Sequence, residues 1–467
     1  MTSTFTIIES GLGQWRSADI NEDGLPTDLH FHDDIAISPL EAIFDARVTS
    51  VDSNLDMAFL DLGGALTGVL NFRRARLLVK GQVGSIADCV REGELLRVQV
   101  VSEPSALEDK ALPVTPRPRL TGRYAVAELG GARLNFSKDL THKATARLKN
   151  ALAPLVKDAA VIVRARAGLV KETVVADEVQ QLLAALNTPQ EGPRLIHAWS
   201  PAQKALLSIK TDDTAIFTEN GTTLSTLKNI CQKSWPDMAE RLHLFKGETG
   251  ASAFEELGVE EAIEEALSAR INLPSGGWIS ICPTPALTAV DVNLGGALKH
   301  RAAGEAILIT NMEATMALAY HLQFQDIGGI VVMDYINMSA KGSTRELIQL
   351  IERTFRGGQV PVQHTGISQF GLVEFTRKRS GLSLRDRLEQ ARGPVPRIAA
   401  LGLRLLQKAA RIGKSAEPGA LIIEAPTAVI EWMKANDLLL DQVRETSQRT
   451  VSLEPASSSD AFIKAAK

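Results

Sequence analysis

Two aspartates placed late in apolar runs, Asp291 and Asp334, are the residues of this chain best suited to do chemistry. The first closes TAVD (288–291) and is followed by Val292 and Asn293; the second closes GGIVVMD (328–334). Neither has a basic neighbour in sequence. Two carboxylates brought together repel unless a proton or a cation stands between them. Paired acids with an amide such as Asn293 nearby, and no cluster of Cys or His, suit a hard, oxygen-seeking ion such as magnesium. One strand-end Asp alone is more often a cap or turn former. The pair is what points to a site.

The elements that must position these acids follow from the pattern. Short β-branched runs bounded by turn residues predict buried strands that show polar groups at their ends. Between the acids, TNME (310–313) fits a capping box opening a helix that carries Met312, Met316, Ala317 and Leu322. A second box, STRE (343–346), predicts a helix through Leu347, Leu350, Ile351 and Phe355. Strand–helix–strand–helix predicts an α/β layer with its site at the carboxyl ends of the strands.

At 467 residues the chain is expected to form roughly two to four domains. A hydrophobic content of 45% and a charged content of 23% describe an ordinary soluble protein. The net charge of −4 argues against general affinity for nucleic acid, so any polyanion site must be local. Cys89, Cys231 and Cys282 lie far apart, which supports neither a zinc knuckle nor a disulfide framework. A reducing cytoplasm is expected, with no signal peptide and no membrane span. The chain shows no Walker loop, GxGxxG or serine elbow, so nucleotide hydrolysis, hydride transfer and acyl transfer lose support.

Residues 1–40 open with a strand at 5–8 and turn Gly- and Asp-rich. His30, His32 and Asp34 there predict solvated surface rather than a metal cluster. Over 41–116, short alternating strands predict a small all-β barrel of the kind that stacks bases on aromatics. Phe59 and Phe72 are its candidate platforms, followed at once by Arg73, Arg74, Arg76 and Lys80. Residues 117–199 read as mixed α/β, with a helix at 137–155 carrying Lys143, Arg147 and Lys149 and a strand at 159–164. Over 200–272, LLSI (206–209) and AIFT (215–218) predict strands, and 259–267 an acidic amphipathic helix. The paired acids occupy 273–393, where a strand at 369–376 runs into Arg377, Lys378 and Arg379. From 375 to 414 there are eleven Lys and Arg against two acids, a polyanion-facing balance in an acidic chain. Residues 394–467 predict helices at 398–410 and 427–435 and a polar tail.

Taken together, LPSGG (273–277), TAVDVN (288–293), TNMEA (310–314), GGIVVMDYI (328–336) and QFGLVEFTRKR (369–379) resemble the ribonuclease E/G family of bacterial single-strand endoribonucleases. The motif order and the 43 positions between the two acids (334 less 291) match as well. The resemblance is strong from 273 to 384, recognisable through the barrel and the segment after it, and weak elsewhere. It implies an RNase H-like piece (1–40 and 200–272), split by an S1-like OB barrel (41–116) and a 5′-sensor segment (117–199). A DNase I-like catalytic subdomain (273–393) and a small C-terminal domain (394–467) follow. It implies magnesium, with manganese as a substitute, held by Asp291 and Asp334, and Asn293 orienting the attacking water or the scissile phosphate. It also implies RNA contacts at Phe59 and Lys110 and 5′-phosphate sensing at Arg164, while the charge balance over 375–414 makes Arg377, Lys378 and Arg379 further candidate RNA contacts. The implied activity is hydrolysis of single-stranded, AU-rich RNA such as mRNA or rRNA precursors in the cytoplasm, leaving 5′-phosphate ends.

Several positions depart from the family pattern. No cysteine stands near Gly393 and Pro394, where the family links subunits through zinc, so zinc is not expected and any homodimer must use other contacts. Ala165 replaces a phosphate-binding Thr, Val69 a second barrel aromatic, Asn337 an Asp, and Leu294 a small residue. These leave open an alternative: a catalytically weak or inactive RNA-binding protein in RNA or ribosome maturation. A metal-dependent phosphatase for small substrates leaves the barrel and the basic segment unexplained.

Overall fold

The structure is a computed structural model that describes residues 3–33, 38–64, 66–104, 110–157, 159–209, 214–248, 251–299, 302–356, 361–379, 381–388, 394–413, 419–456 and 462–466. It is a mixed α/β protein with several cores.

The chain begins with an antiparallel meander, β1 (Ser3–Gly11), β2 (Gln14–Asn21) and β3 (Pro26–Asp33). It then leaves that sheet for the barrel. Strands β4 (Ile43–Asp52), β5 (Met57–Gly63), β6 (Leu66–Asn71), β7 (Leu95–Val100) and β8 (Leu112–Thr115) close a five-stranded ring through the β4–β7 pairing. Alternation along β5 turns Ala58, Leu60 and Leu62 inward and leaves Met57, Phe59 and Asp61 outside. A short helix, α1 (Phe72–Ala75), follows β6, capped by the Asn71 side chain.

A second sheet takes β9 (Arg119–Thr121), β10 (Ala125–Leu129), β11 (Arg133–Phe136) and β12 (Ala159–Val163), with α2 (His142–Leu152) and α3 (Glu172–Leu186). The expected helix at 137–155 thus starts at His142. Strand β13 (Arg194–His197) adds to the barrel beside β4. Next comes α4 (Pro201–Leu207), which corrects the strand expected at 206–209. Ser200 and Gln203 form a reciprocal capping box with Pro201 just inside, and this start signal outweighs the β-like composition that follows. The chain then rejoins the first sheet through β14 (Ala215–Thr218), α5 (Gly221–Ser234), α6 (Pro236–Ala239) and β15 (Leu242–Leu244), with β14 parallel to β1. Helices α7 (Ala253–Glu256) and α8 (Val259–Leu267) cover one face of that sheet through Phe254 and Ile263.

One polar knot ties the inserted segment to the returning sheet. Buried Glu178 accepts hydrogen bonds from the backbone N–H groups of Arg123, Tyr124 and Ala125 and from Trp235 Nε1. Burial nonetheless pushes its carboxyl above the usual range. Beside it, Arg123 and the Tyr124 hydroxyl both bond to Asp237.

The third sheet carries the paired acids. Its order is β16 (Ile271–Asn272), β17 (Trp278–Pro283), β18 (Thr288–Asn293), β19 (Gly329–Asp334), then β21 (Leu372–Arg377) and β20 (Val362–His364) at the edge. Helices α9 (Ala303–Phe324) and α10 (Lys341–Thr354) cover one face, where Val290, Val292, Val331 and Met333 meet Leu318, Leu347 and Ile351. Both expected capping boxes lie inside helices rather than at their starts. Thr310 is fully buried in α9 and donates to the Ala306 carbonyl at 2.8 Å, and Ser343 falls within the first turn of α10. After α11 (Leu384–Leu388), α12 (Pro394–Gly413), β22 (Ala420–Ala425), α13 (Thr427–Ala435), α14 (Asp437–Ser447), β23 (Val451–Pro455) and β24 (Phe462–Ala466) form a last layer with its own core. Among the described residues no helix is long and apolar enough to cross a membrane.

Candidate functional site

Asp291 and Asp334 are register partners on the parallel strands β18 and β19. Adjacent strands run about 4.8 Å apart, so the two side chains leave neighbouring strands side by side. Strand alternation sends Val290 and Val292 into the core and Ala289, Asp291 and Asn293 to the opposite face; on β19, Val331 and Met333 point in and Asp334 out. Both acids are exposed. Ser280 on β17 stands opposite Asp291, and Leu372 on β21 stands opposite Asp334. The Asn293 amide donates from Nδ2 to Asp291 Oδ2 at 2.6 Å, fixing the acid's orientation.

The backbone around this pair is pinned from below by the buried side of α9. Asn311, with no exposed surface, donates from Nδ2 to the Ile336 carbonyl at 2.8 Å and accepts from the Ile336 N–H at 3.1 Å. It thereby clamps the chain two residues beyond Asp334. Thr315 shares a hydrogen bond with the Tyr335 hydroxyl at 2.7 Å, and Glu313 accepts from the Ser275 N–H at 2.9 Å. The TNMEA motif is thus a row of supports for the strand ends. Glycines make the same approach possible from the LPSGG side. A Cβ on Gly277 would lie 2.9 Å from the Asn293 carbonyl oxygen, and one on Gly295 (φ +51°) would lie 2.4 Å from that of Gly276.

Two carboxylates and one amide make a sparse donor set. Among the described residues no group of three or more His, Cys, Asp and Glu could hold a metal ion. The set fits a small divalent ion that keeps several of its own waters, as magnesium does.

The remaining residues singled out in the sequence are spread over the molecule. Phe59 is half-buried on the outer face of the barrel, opposite Ser50 and Val69. Phe72 packs against the barrel core, with the Arg76 guanidinium 5.9 Å from its ring centre. Arg73, Arg76 and Lys80 are exposed, as is Lys110. Arg164 donates from Nη1 to the Gly122 carbonyl at 2.6 Å and lines a cavity of about 970 Å³ that also touches Lys204, Arg377 and Arg387. Neither aspartate lines that cavity. Arg377 shares the buried face of β21 with Val373 and Phe375 and is only 7% exposed. It bonds Asp326 at 2.7 Å and the Ile327 carbonyl at 3.0 Å. Lys378 is exposed, and Arg379 is half-buried against the backbone of Gly328.

His30 and His32 correct the expectation of a solvated turn. They lie half-buried on β3, with both Nε2 atoms buried. Burial holds the His32 imidazole well below the ordinary histidine range. Asp34 and residues 391–393, including the first residues of the expected linker position, fall outside the described residues.

A family model described as the ribonuclease E/G family matches residues 119–380, more than half of the chain, and the chain belongs to that family. Among similar proteins, Ribonuclease G of Escherichia coli (strain K12) is 26% identical, the match covering 94% of this chain and 95% of that protein. Ribonuclease G of Haemophilus influenzae is 26% identical over 88% of each. Ribonuclease E of Synechocystis is 28% identical over 77% of this chain and 55% of its own length.

Proposed function

We propose that the chain is a magnesium-dependent endoribonuclease that hydrolyses single-stranded, AU-rich RNA and leaves 5′-phosphate ends. The in-register pair Asp291 and Asp334, exposed together on the open face of the third sheet in a member of the ribonuclease E/G family, carries this reading. Asp291 and Asp334 are the residues that would hold a divalent cation, magnesium or manganese as a substitute, which would supply positive charge against the phosphate and lower the pKa of bound water. Asn293, itself tethered to Asp291, orients the water or the scissile phosphate. Phe59 stacks a base on the barrel, Lys110, Lys378 and Arg379 meet the RNA backbone, and Arg164 receives the 5′-phosphate without the hydroxyl that a Thr at Ala165 would add. The burial of Arg377 and its ion pair with Asp326 favour a supporting role for that residue.

In this reading 1–40 and 200–272 form a split RNase H-like piece around an S1-like barrel (41–116) and a 5′-sensor segment (117–199). The DNase I-like subdomain spans 273–393, and a small C-terminal domain spans 394–467. The partners are mRNA or rRNA precursors in the cytoplasm, and a homodimer would form without zinc bridging. A weakly catalytic RNA-binding role in RNA or ribosome maturation is the second reading, favoured by Val69 standing opposite Phe59 where a second stacking ring would widen the platform. Cleavage of a short AU-rich RNA after chelation, and again after adding back magnesium or manganese, separates the two. Cutting restored by the ion supports the nuclease; undiminished cutting in chelator, or binding without cutting, contradicts it.

A further inference from the structure

Phe370 is exposed to 71% and, among the residues whose side chains are described, is the one Phe, Tyr or Trp that is exposed rather than half-buried or buried. Burying a Phe side chain contributes about 1.5–3 kcal/mol, so folding alone gives no reason to place one here. The turn that presents it is tightly held. Ser368 donates its N–H to the Leu372 carbonyl at 2.9 Å, and its hydroxyl accepts from the N–H groups of Phe370 and Leu372 at 3.3 and 3.2 Å. Gly371 adopts φ +85°, donates to the Ser368 carbonyl and accepts from the Tyr335 N–H at 3.3 Å. A Cβ there would press on the Tyr335 carbonyl and the Asn337 amide. The turn is therefore docked on the segment that leaves Asp334.

Its position is as telling as its exposure. Leu372 is the cross-strand partner of Asp334, so the turn that presents Phe370, two residues before Leu372, sits beside the strand end that carries Asp334. We propose that Phe370 is a base-stacking platform that holds a nucleobase next to the scissile phosphate, setting the register of single-stranded RNA against the acidic pair. The inference rests on the nuclease reading above. Stacking on an aromatic ring tolerates any base but requires it to be unpaired, so Phe370 would favour single strands at the cut itself. A backbone already fixed by its turn loses little conformational freedom on binding.

The test compares the parent chain with Phe370→Ala and Phe370→Tyr, measuring affinity for a short AU-rich RNA without metal and cleavage of it with magnesium. The expected result is a loss of about 5- to 150-fold in affinity and in kcat/KM for Phe370→Ala, near-parent values for Phe370→Tyr, and an unchanged melting temperature for both. Removing one base at a time from the RNA should slow the parent at a single position flanking the cut and leave Phe370→Ala indifferent there. Parent-like affinity and cutting by Phe370→Ala would overturn the stacking role while leaving the nuclease reading intact. A parent that binds but never cuts would contradict the nuclease reading, and the affinity series would still decide the stacking. A parent that binds no RNA would overturn both.

Discussion

Asp291 and Asp334 face one another in register across two parallel strands, on the sheet face that α9 and α10 leave uncovered. A parallel pair brings two strand ends to the same edge, and here each end shows a carboxylate. Exposure keeps the two charges solvated, so the fold tolerates them without a buried basic partner.

Asn311 is the support most specific to this arrangement. Replacing it with Ala leaves both the N–H and the carbonyl of Ile336 without a partner, at a cost of about 1–3 kcal/mol in stability. Because Ile336 is two residues beyond Asp334, activity should fall further than the melting temperature alone explains. Cleavage rates at a temperature where the variant is fully folded check this; a rate equal to the parent's would make Asn311 a purely structural residue.

Gly277→Ala should act through the Asn293 backbone. The added methyl meets the Asn293 carbonyl at 2.9 Å and Thr310 Cγ2 at 2.7 Å, so strand β18 must shift at its end. The expected outcome is a drop in kcat of ten-fold or more, with RNA affinity little changed. Full kcat would show that the strand end yields without moving the acid.

Two adjacent cations should behave oppositely. Arg377→Ala removes buried bonds to half-exposed Asp326 and to the Ile327 carbonyl and should destabilise the chain by about 1–3 kcal/mol, seen as a lower melting temperature. Lys378→Ala should leave stability within about 0.5 kcal/mol and reduce the salt dependence of RNA binding by about one ion. Equal effects on stability would refute the division.

His321 gives a pH signature. It is 3% exposed in α9, within 3.1 Å of Gln325, and burial lowers its imidazole to about 4 from 6.5. The unfolded chain therefore binds the extra proton between those values, and stability falls as pH drops from 6.5 to about 4, by about 3 kcal/mol in total. Buried Glu9 and Glu178, raised by desolvation, slope the opposite way, so the measurement is the difference between parent and His321→Gln in denaturant midpoint across that range. A difference that does not change with pH would contradict the assignment.

The strands of the acidic pair were legible because β-branched runs between turn residues have few other uses, and the closed barrel was legible from its short alternating segments. Supports were harder. A Thr-x-x-Glu pattern is the same string at a helix start and in a helix middle. Only the packed structure reveals that Thr310 bonds back along α9 and that Asn311 and Glu313 reach the strand ends. Strand parity, which separates buried Arg377 from exposed Lys378, was available in the sequence and obscured by reading three cations as one patch. Phe370 was hidden for a related reason: an aromatic before Gly371 in an apolar run reads as the start of a strand, and the turn that exposes it depends on Ser368 and Tyr335.

The central claim is that the two aspartates form one metal-dependent cleavage site. It is tested most directly by magnesium-dependent cleavage of a short AU-rich RNA by the parent, Asp291→Asn and Asp334→Asn, with RNA binding and melting temperature measured alongside. The expected result is cutting by the parent, a loss of at least 100-fold in each variant, and near-parent binding and stability, since both side chains are exposed. Cleavage that survives in either variant, or a parent that binds RNA and never cuts it, would contradict it.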